Sequence, residues 1–182
     1  MMEINVPEML TTVVEAAQEN LTNDGEIMPV AFIFAEKGRF VIPMVHPDKH
    51  LCVKTAGSIT RKVNGNVLIT VFDGAMRVLK NPEDLKKMEE NPETESPLSY
   101  PKSMRTECLV IQAVEFPSGK NHVRVITYTG QKGSYQFKQL DGMDDADGAI
   151  LDSIKDGWHR MDLSIRIGLE KEGMDDSPKE GL

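Results

Sequence analysis

A chain of 182 residues, 40% hydrophobic and 27% charged, is long enough to bury a core in one domain without disulfide or metal staples. No apolar run approaches the roughly 20 residues needed to cross a bilayer as a helix. The formal net charge of −8 is concentrated at one end, residues 141–182 carrying twelve Asp/Glu against five Lys/Arg, so the near-neutral body has no bulk attraction for nucleic acid or anionic membranes.

The first ten residues, MMEINVPEML, lack a basic region followed by an apolar one, so no secretory signal is expected and a cytoplasmic location follows. Residues 6–21 read as a helix: Val6, Met9, Leu10, Val13, Val14, Ala17 and Leu21 recur at three- and four-residue steps. Asn5 suits its N-cap and Pro7 its first turn, while Asn, Asp and Gly stop it over 21–25. A strand pair follows, Val30–Ala35 and Phe40–Val45, joined by the turn Glu36-Lys37-Gly38-Arg39. Asp48 then opens a second helix over 48–64, weakened at Gly57. The turn Asn64-Gly65-Asn66 leads into Val67–Phe72, apolar on both faces as befits a central strand covered on both sides. That strand is expected to end at Asp73-Gly74, with Ala75–Leu79 continuing as strand or edge.

Residues 80–103 are punctuated by Pro82, Pro92, Pro97 and Pro101 and are rich in Glu and Lys. A connection this long is either functional or disordered, and its poverty in aromatics favours disorder. A meander then begins, with strands over Met104–Phe116, His122–Thr129 and Ser134–Leu140. A short helix over Asp145–Lys155 follows, and then a strand in which Met161, Leu163, Ile165 and Ile167 alternate with polar residues. The expectation is one α+β domain over 1–168 with two to three helices, mainly on one face of a mixed, mainly antiparallel sheet. Its order is α-β-β-α-β, the 80–103 loop, then β-β-β-α-β, and residues 169–182 form an acidic, flexible tail.

Chemistry is sparsely signalled. No GxSxG, P-loop, GxGxxG, HExxH or CxxC motif is present. The run Asp144-Asp145-Ala146-Asp147-Gly148 sets Asp145 and Asp147 at the third and fifth places of an EF-hand loop, but Met143 and Ile154 then occupy the first and twelfth. Such a loop lacks its two anchoring ligands, and helix capping is the better reading. His46 and His50 are four apart, yet Pro47 places His46 outside the helix and no third zinc ligand is suggested. No metal or cofactor is therefore expected, and Asp145, Asp147, His46 and His50 are only weak metal candidates. His122 and His159 fall on polar faces and read as exposed. Cys52 and Cys108 sit in apolar patterns and read as reduced core thiols, with no helix N-terminus to activate Cys108.

Arg105 and Glu107, two apart on a strand, share one face. With Arg124, Lys138, Arg160 and Arg166 on polar strand faces they outline a candidate groove, against the simpler reading of a solvated sheet face.

Three segments together resemble a family of small bacterial and phage α/β proteins of unassigned activity. They are the first helix with Asp24-Gly25, Pro29-Val30-Ala31-Phe32 and the hairpin, then Val67–Phe72 with Asp73-Gly74-Ala75-Met76, and then Pro101, Arg105, Glu107 and Leu109-Val110. The likeness spans about residues 6–140 and departs at Asp73–Met76, where an acidic-Ala-Trp-like step is usual. It implies the fold, and an accessory or phage-type regulatory role. The functional expectation is a non-enzymatic binding or regulatory protein acting on another protein, with self-association left open. The alternatives are a small hydrolase or metal-dependent enzyme using the Arg105/Glu107 face with the histidines, and an acidic mimic of nucleic acid.

Overall fold

A computed structural model of the protein describes residues 5–76, 105–140 and 149–159, with isolated positions at 83, 86, 90 and 103. Most of the 80–103 segment, Asp145 and Asp147, the strand expected over 160–167 and the tail lie outside the described residues. Helix α1 spans Val6–Asp24. The Asn5 side chain accepts the Glu8 N–H at its start, and Gly25, at φ +82°, donates its N–H to the Leu21 carbonyl at its end. Only a residue tolerant of the left-handed region closes a helix this way.

Strands β1 (Val30–Ala35) and β2 (Gly38–Pro43) form the expected hairpin, but its turn contracts to Glu36-Lys37. Helix α2 (Lys49–Lys62) is capped by Asp48, whose carboxylate accepts the Leu51 N–H at 3.1 Å. Strand β3 runs Gly65–Met76, passing through Asp73-Gly74 without a break, because those residues pair with Leu109 and Cys108. Strands β4 (Thr106–Glu115), β5 (Asn121–Thr129) and β6 (Gln136–Gln139) complete the meander. Helix α3 spans Ala149–His159 among the described residues and continues four residues past Lys155, where the sequence suggests it ends.

Among the described residues, the six strands form one antiparallel sheet in the order β2-β1-β3-β4-β5-β6. The α2 crossover carries the chain from the β2 edge past β1, so that β3 lies parallel to β2 with β1 between them. Strand parity sorts the core into two clusters. On one face Val67, Ile69 and Val71 of β3 and Leu109, Ile111 and Ala113 of β4 pack under Val6, Leu10, Ala17 and Leu21 of α1. On the other, Leu68, Phe72, Cys108, Val114, Val123 and Val125 pack under Val53 and Ala56 of α2 and Ile154 of α3. Two of the three described helices thus lie on one face and α1 on the other, and this is why β3 is apolar on both sides. Each fully buried Leu or Ile among them is worth about 1.5–3 kcal/mol in transfer terms.

The α2–α3 crossing rests on two glycines. A Cβ at Gly57 would strike the Ile154 carbonyl, and one at Gly157 would strike the Lys54 carbonyl. Backbones this close leave no room for a side chain, so the residue that weakens the helix by propensity makes its packing possible. Around the notch, the Ser58 hydroxyl donates to the Gly157 carbonyl at 2.7 Å and Lys54 pairs with Asp156 at 2.9 Å. Arg61 donates to the Trp158 and His159 carbonyls, closing the end of α3, and Trp158 stacks on Phe116 at a centroid distance of 4.1 Å. Among the described residues no helix is long and apolar enough to cross a membrane.

Candidate functional site

At one end of the sheet, β3 and β5 finish beside the start of β4, and a cleft of about 650 Å³ opens there. Its lining includes Asp73 and Gly74 of β3, Thr106 and Glu107 of β4, and Tyr128 of β5. Arg105 precedes β4, Lys49 begins α2, and Gly25 ends α1. The β5–β6 loop supplies Gly130 and Tyr135 and is tied to the end of α1, because the Gly133 N–H donates to the Thr22 carbonyl at 2.9 Å.

Two pairs of polar side chains in the cleft are bonded to one another. Arg105 Nε donates to Glu107 Oε1 at 2.9 Å, with both side chains largely covered. The Tyr128 hydroxyl donates to Asp73 Oδ1 at 2.7 Å. From the other face of the sheet Lys49 Nζ reaches the Asp73 carbonyl at 3.3 Å and lies 5.7 Å from the Phe72 ring centroid. Tyr135 meets Tyr128 edge-on at 5.4 Å, and Phe137 completes an aromatic group beside them.

These surroundings disfavour ionisation of the neutral groups. Burial, the Asp73 hydrogen bond and the charges of Asp73 and Glu107 hold the Tyr128 phenol well above the ordinary tyrosine range. Cys108, opposite Gly74 in the ladder with its side chain in the core on the α2 side of the sheet, is pushed up to about 11 by burial first and then by Asp73 and Glu107, with Lys49 acting the other way. Cys52 and Cys108 are both free thiols.

Of the residues proposed from sequence for a groove, the structure brings Arg105 and Glu107 together. Arg124 shares their face but pairs with Ile111, four residues along β5 from Tyr128, or roughly 13 Å at strand rise. Lys138 pairs with Thr127 and therefore belongs to the opposite face. Arg160 and Arg166 lie outside the described residues. The histidines do not meet: the His46 ring accepts the Asp48 N–H, while His50 Nδ1 lies 3.0 Å from Ser153 Oγ. His122 corrects the expectation of an exposed residue, being only 8% accessible with Nε2 2.6 Å from Glu115 Oε1. Its strand face is polar by pattern, but the neighbouring carboxylate allows the ring to be covered. Among the described residues, no group of three His, Cys, Asp or Glu is placed to hold a metal ion.

Sequence reasoning missed Lys49, Asp73, Tyr128 and Tyr135. Asp73-Gly74 reads as a strand end, and the one available signal was that Tyr128 shares parity with His122 and Arg124. Fold and cleft together define a single-sheet α+β protein with a polar, tyrosine-walled recess at one sheet end. No known protein family, curated protein or solved structure matched the chain, so the site stands on its own geometry.

Proposed function

We propose that the chain is a non-enzymatic binding protein whose cleft takes a segment of a polypeptide partner. The observation that carries this reading is the pairing of the cleft's polar side chains. Arg105 with Glu107 and Tyr128 with Asp73 form a fixed array of donors and acceptors, while the neighbouring phenol and thiol are held in their neutral forms. A prepaired, partly buried array suits recognition, because little side-chain entropy is left to lose on contact. Tyr128 and Tyr135 supply the amphipathic surface over which protein partners commonly anchor.

The test is affinity capture from native lysate with the full chain as bait, run beside Tyr135→Ala and Glu107→Gln baits of verified fold. A protein retained by the parent and lost or reduced at least tenfold with both variants is the expected result. Retention of the same proteins by all three baits would remove the cleft from the interaction.

A further inference from the structure

Of the five exposed large hydrophobic residues among those described, Phe40 and Val41 belong to the outer strand β2, Met28 and Val45 lie just beyond the β1–β2 pair, and Leu51 lies in the first turn of α2. Phe40 is 39% accessible, Val41 60%, Val45 80%, Met28 66% and Leu51 43%. Met28 and Val45 flank the open end of the β1–β2 pair, where the Met44 N–H donates to the Pro29 carbonyl at 2.9 Å. That bond also fixes the phase of the ladder. Residues 38, 40 and 42 exchange hydrogen bonds with β1, so the backbone N–H and C=O groups of Arg39 and Val41 point away from the sheet. Pro43 shares that outward phase and has no N–H to offer, the position at which proline is tolerated in an edge strand.

Natural edge strands are normally blunted by shortness, by a central lysine or by a covering element. The other edge of this sheet conforms, since β6 has four residues and carries Lys138. Strand β2 has six residues, its charge lies at Arg39 near the turn, and its middle is Phe40-Val41-Ile42.

We propose that β2 pairs with β2 of a second copy, antiparallel about a two-fold axis at Phe40, to give a continuous twelve-stranded sheet. In this register Arg39 of each copy faces Val41 of the other. Each of those residues then donates its N–H and accepts through its C=O, so four hydrogen bonds satisfy every outward group of Arg39 and Val41. Pro43 falls opposite Lys37 at the end of the ladder, where its missing donor costs nothing. A register centred on Val41 would instead set Arg39 against Pro43 and leave the Arg39 carbonyl without a donor. Side chains agree with the same choice. The two Phe40 rings meet at a non-hydrogen-bonded site, with Cα atoms about 4.5 Å apart, on the α2 side. On the other side Arg39, held 5.6 Å over its own Phe34 ring, lays its stem along the partner's Val41. No like charges face each other along the ladder. This closed, isologous contact is the commonest form of homodimer.

A six-residue ladder alone falls short of the 1,200–2,000 Å² typical of tight complexes, so dissociation on the order of micromolar is expected. Sedimentation equilibrium of the full chain from about 1 to 200 µM should show a shift from 20.3 kDa toward twice that mass. Val41→Lys, at an exposed side chain that leaves the β1 ladder intact, should stay at 20.3 kDa throughout with an unchanged circular dichroism spectrum. In a Cys52→Ser background, Phe40→Cys should cross-link to a disulfide dimer under mild oxidant, and Val41→Cys should not. A parent chain that is monomeric at 200 µM would overturn the proposal, as would a dimer that survives Val41→Lys. Cross-linking that favours position 41 over 40 would overturn the register.

Discussion

Cys108 gives the most direct test of how the sheet is buried beneath the charges of the cleft. In an unfolded chain its thiol titrates near 9.0, and in the folded protein near 11, because the charged form would be buried beside Asp73 and Glu107. The folded value is the higher one, so the neutral thiol stabilises the fold. That contribution is complete below pH 9 and is lost as pH rises from 9 toward 11. A shift of this size is worth about 3 kcal/mol when fully expressed, and between about 1 and 2 kcal/mol at pH 10. Urea unfolding of the parent and of Cys108→Ala at pH 8, 9 and 10, under reductant, isolates it, since every other titration is common to both chains. Cys108→Ala is expected to be less stable than the parent at pH 8, for the lost packing, and to close part of that gap by pH 10. Lys49→Ala removes a nearby cation that favours the thiolate, so the decline should still begin near pH 9, where the unfolded thiol titrates, but continue to higher pH and to a larger total loss. Parallel stability profiles for parent and Cys108→Ala from pH 8 to 10 would show that the thiol is not buried in the core within reach of the Asp73 and Glu107 charges.

Three further outcomes follow from the packing and the site. Gly157→Ala drives a methyl group into the Lys54 carbonyl and should cost about 1–3 kcal/mol or more in urea unfolding, since the helices must separate. Ser58→Ala, which loses the bond to the Gly157 carbonyl beneath the same notch, should cost about 1 kcal/mol. Tyr128→Phe leaves Asp73 Oδ1 without its phenolic donor and should lower stability at pH 8 by about 1–2 kcal/mol. The same variant should blunt any further loss above pH 10, because the folded phenol titrates above its unfolded value and its neutral form is the one the fold favours.

Local signals carried much of the architecture. The stripe from Val6 to Leu21, with Asn5 before it and Gly25 after it, marks α1 at both ends, and the alternation in β4 and β5 places their faces correctly. What failed was punctuation whose meaning depends on tertiary contact. Gly74 looks like a strand terminator until Cys108 is seen opposite it, and Gly57 looks like a weak point in α2 until the Ile154 carbonyl is seen against it. Arg105 and Glu107 were legible as a pair because an i, i+2 spacing is a local fact on a strand. The rest of the cleft was not, because Asp73 and Tyr128 stand 55 residues apart and meet only through the register of β3 on β4 and β4 on β5. No single-strand pattern encodes that register. The exposure of β2 was hidden for the same reason: Phe40–Val45 is as apolar as Val30–Ala35, and only the strand order shows which of the two forms the edge.

The two proposed surfaces are compatible in space, and together they imply a particular kind of binding. Because β3 runs parallel to β2, the cleft at the Asp73 end of β3 lies at the Pro43 end of β2, and Lys49, just beyond that end, joins its lining. Pairing two β2 strands antiparallel therefore sends the two clefts to opposite ends of the joined sheet. Their β4 strands would stand seven strand spacings apart, roughly 34 Å across the sheet, and the clefts are offset by a similar distance along the strands, so they lie about 50 Å apart. Neither cleft is covered by the contact, so a dimer would present two equivalent recesses facing opposite ways. A partner with one copy of the recognised segment would gain nothing from dimerisation, whereas one with two copies on a span of that length would bind with an effective concentration set by its linker. Val41→Lys separates these cases. It should leave the affinity for a single segment unchanged and weaken only binding to a tandem one, by about 10²-fold or more. Equal loss for both would mean that the edge strand itself contacts the partner, and the cleft and the edge would then be one surface rather than two.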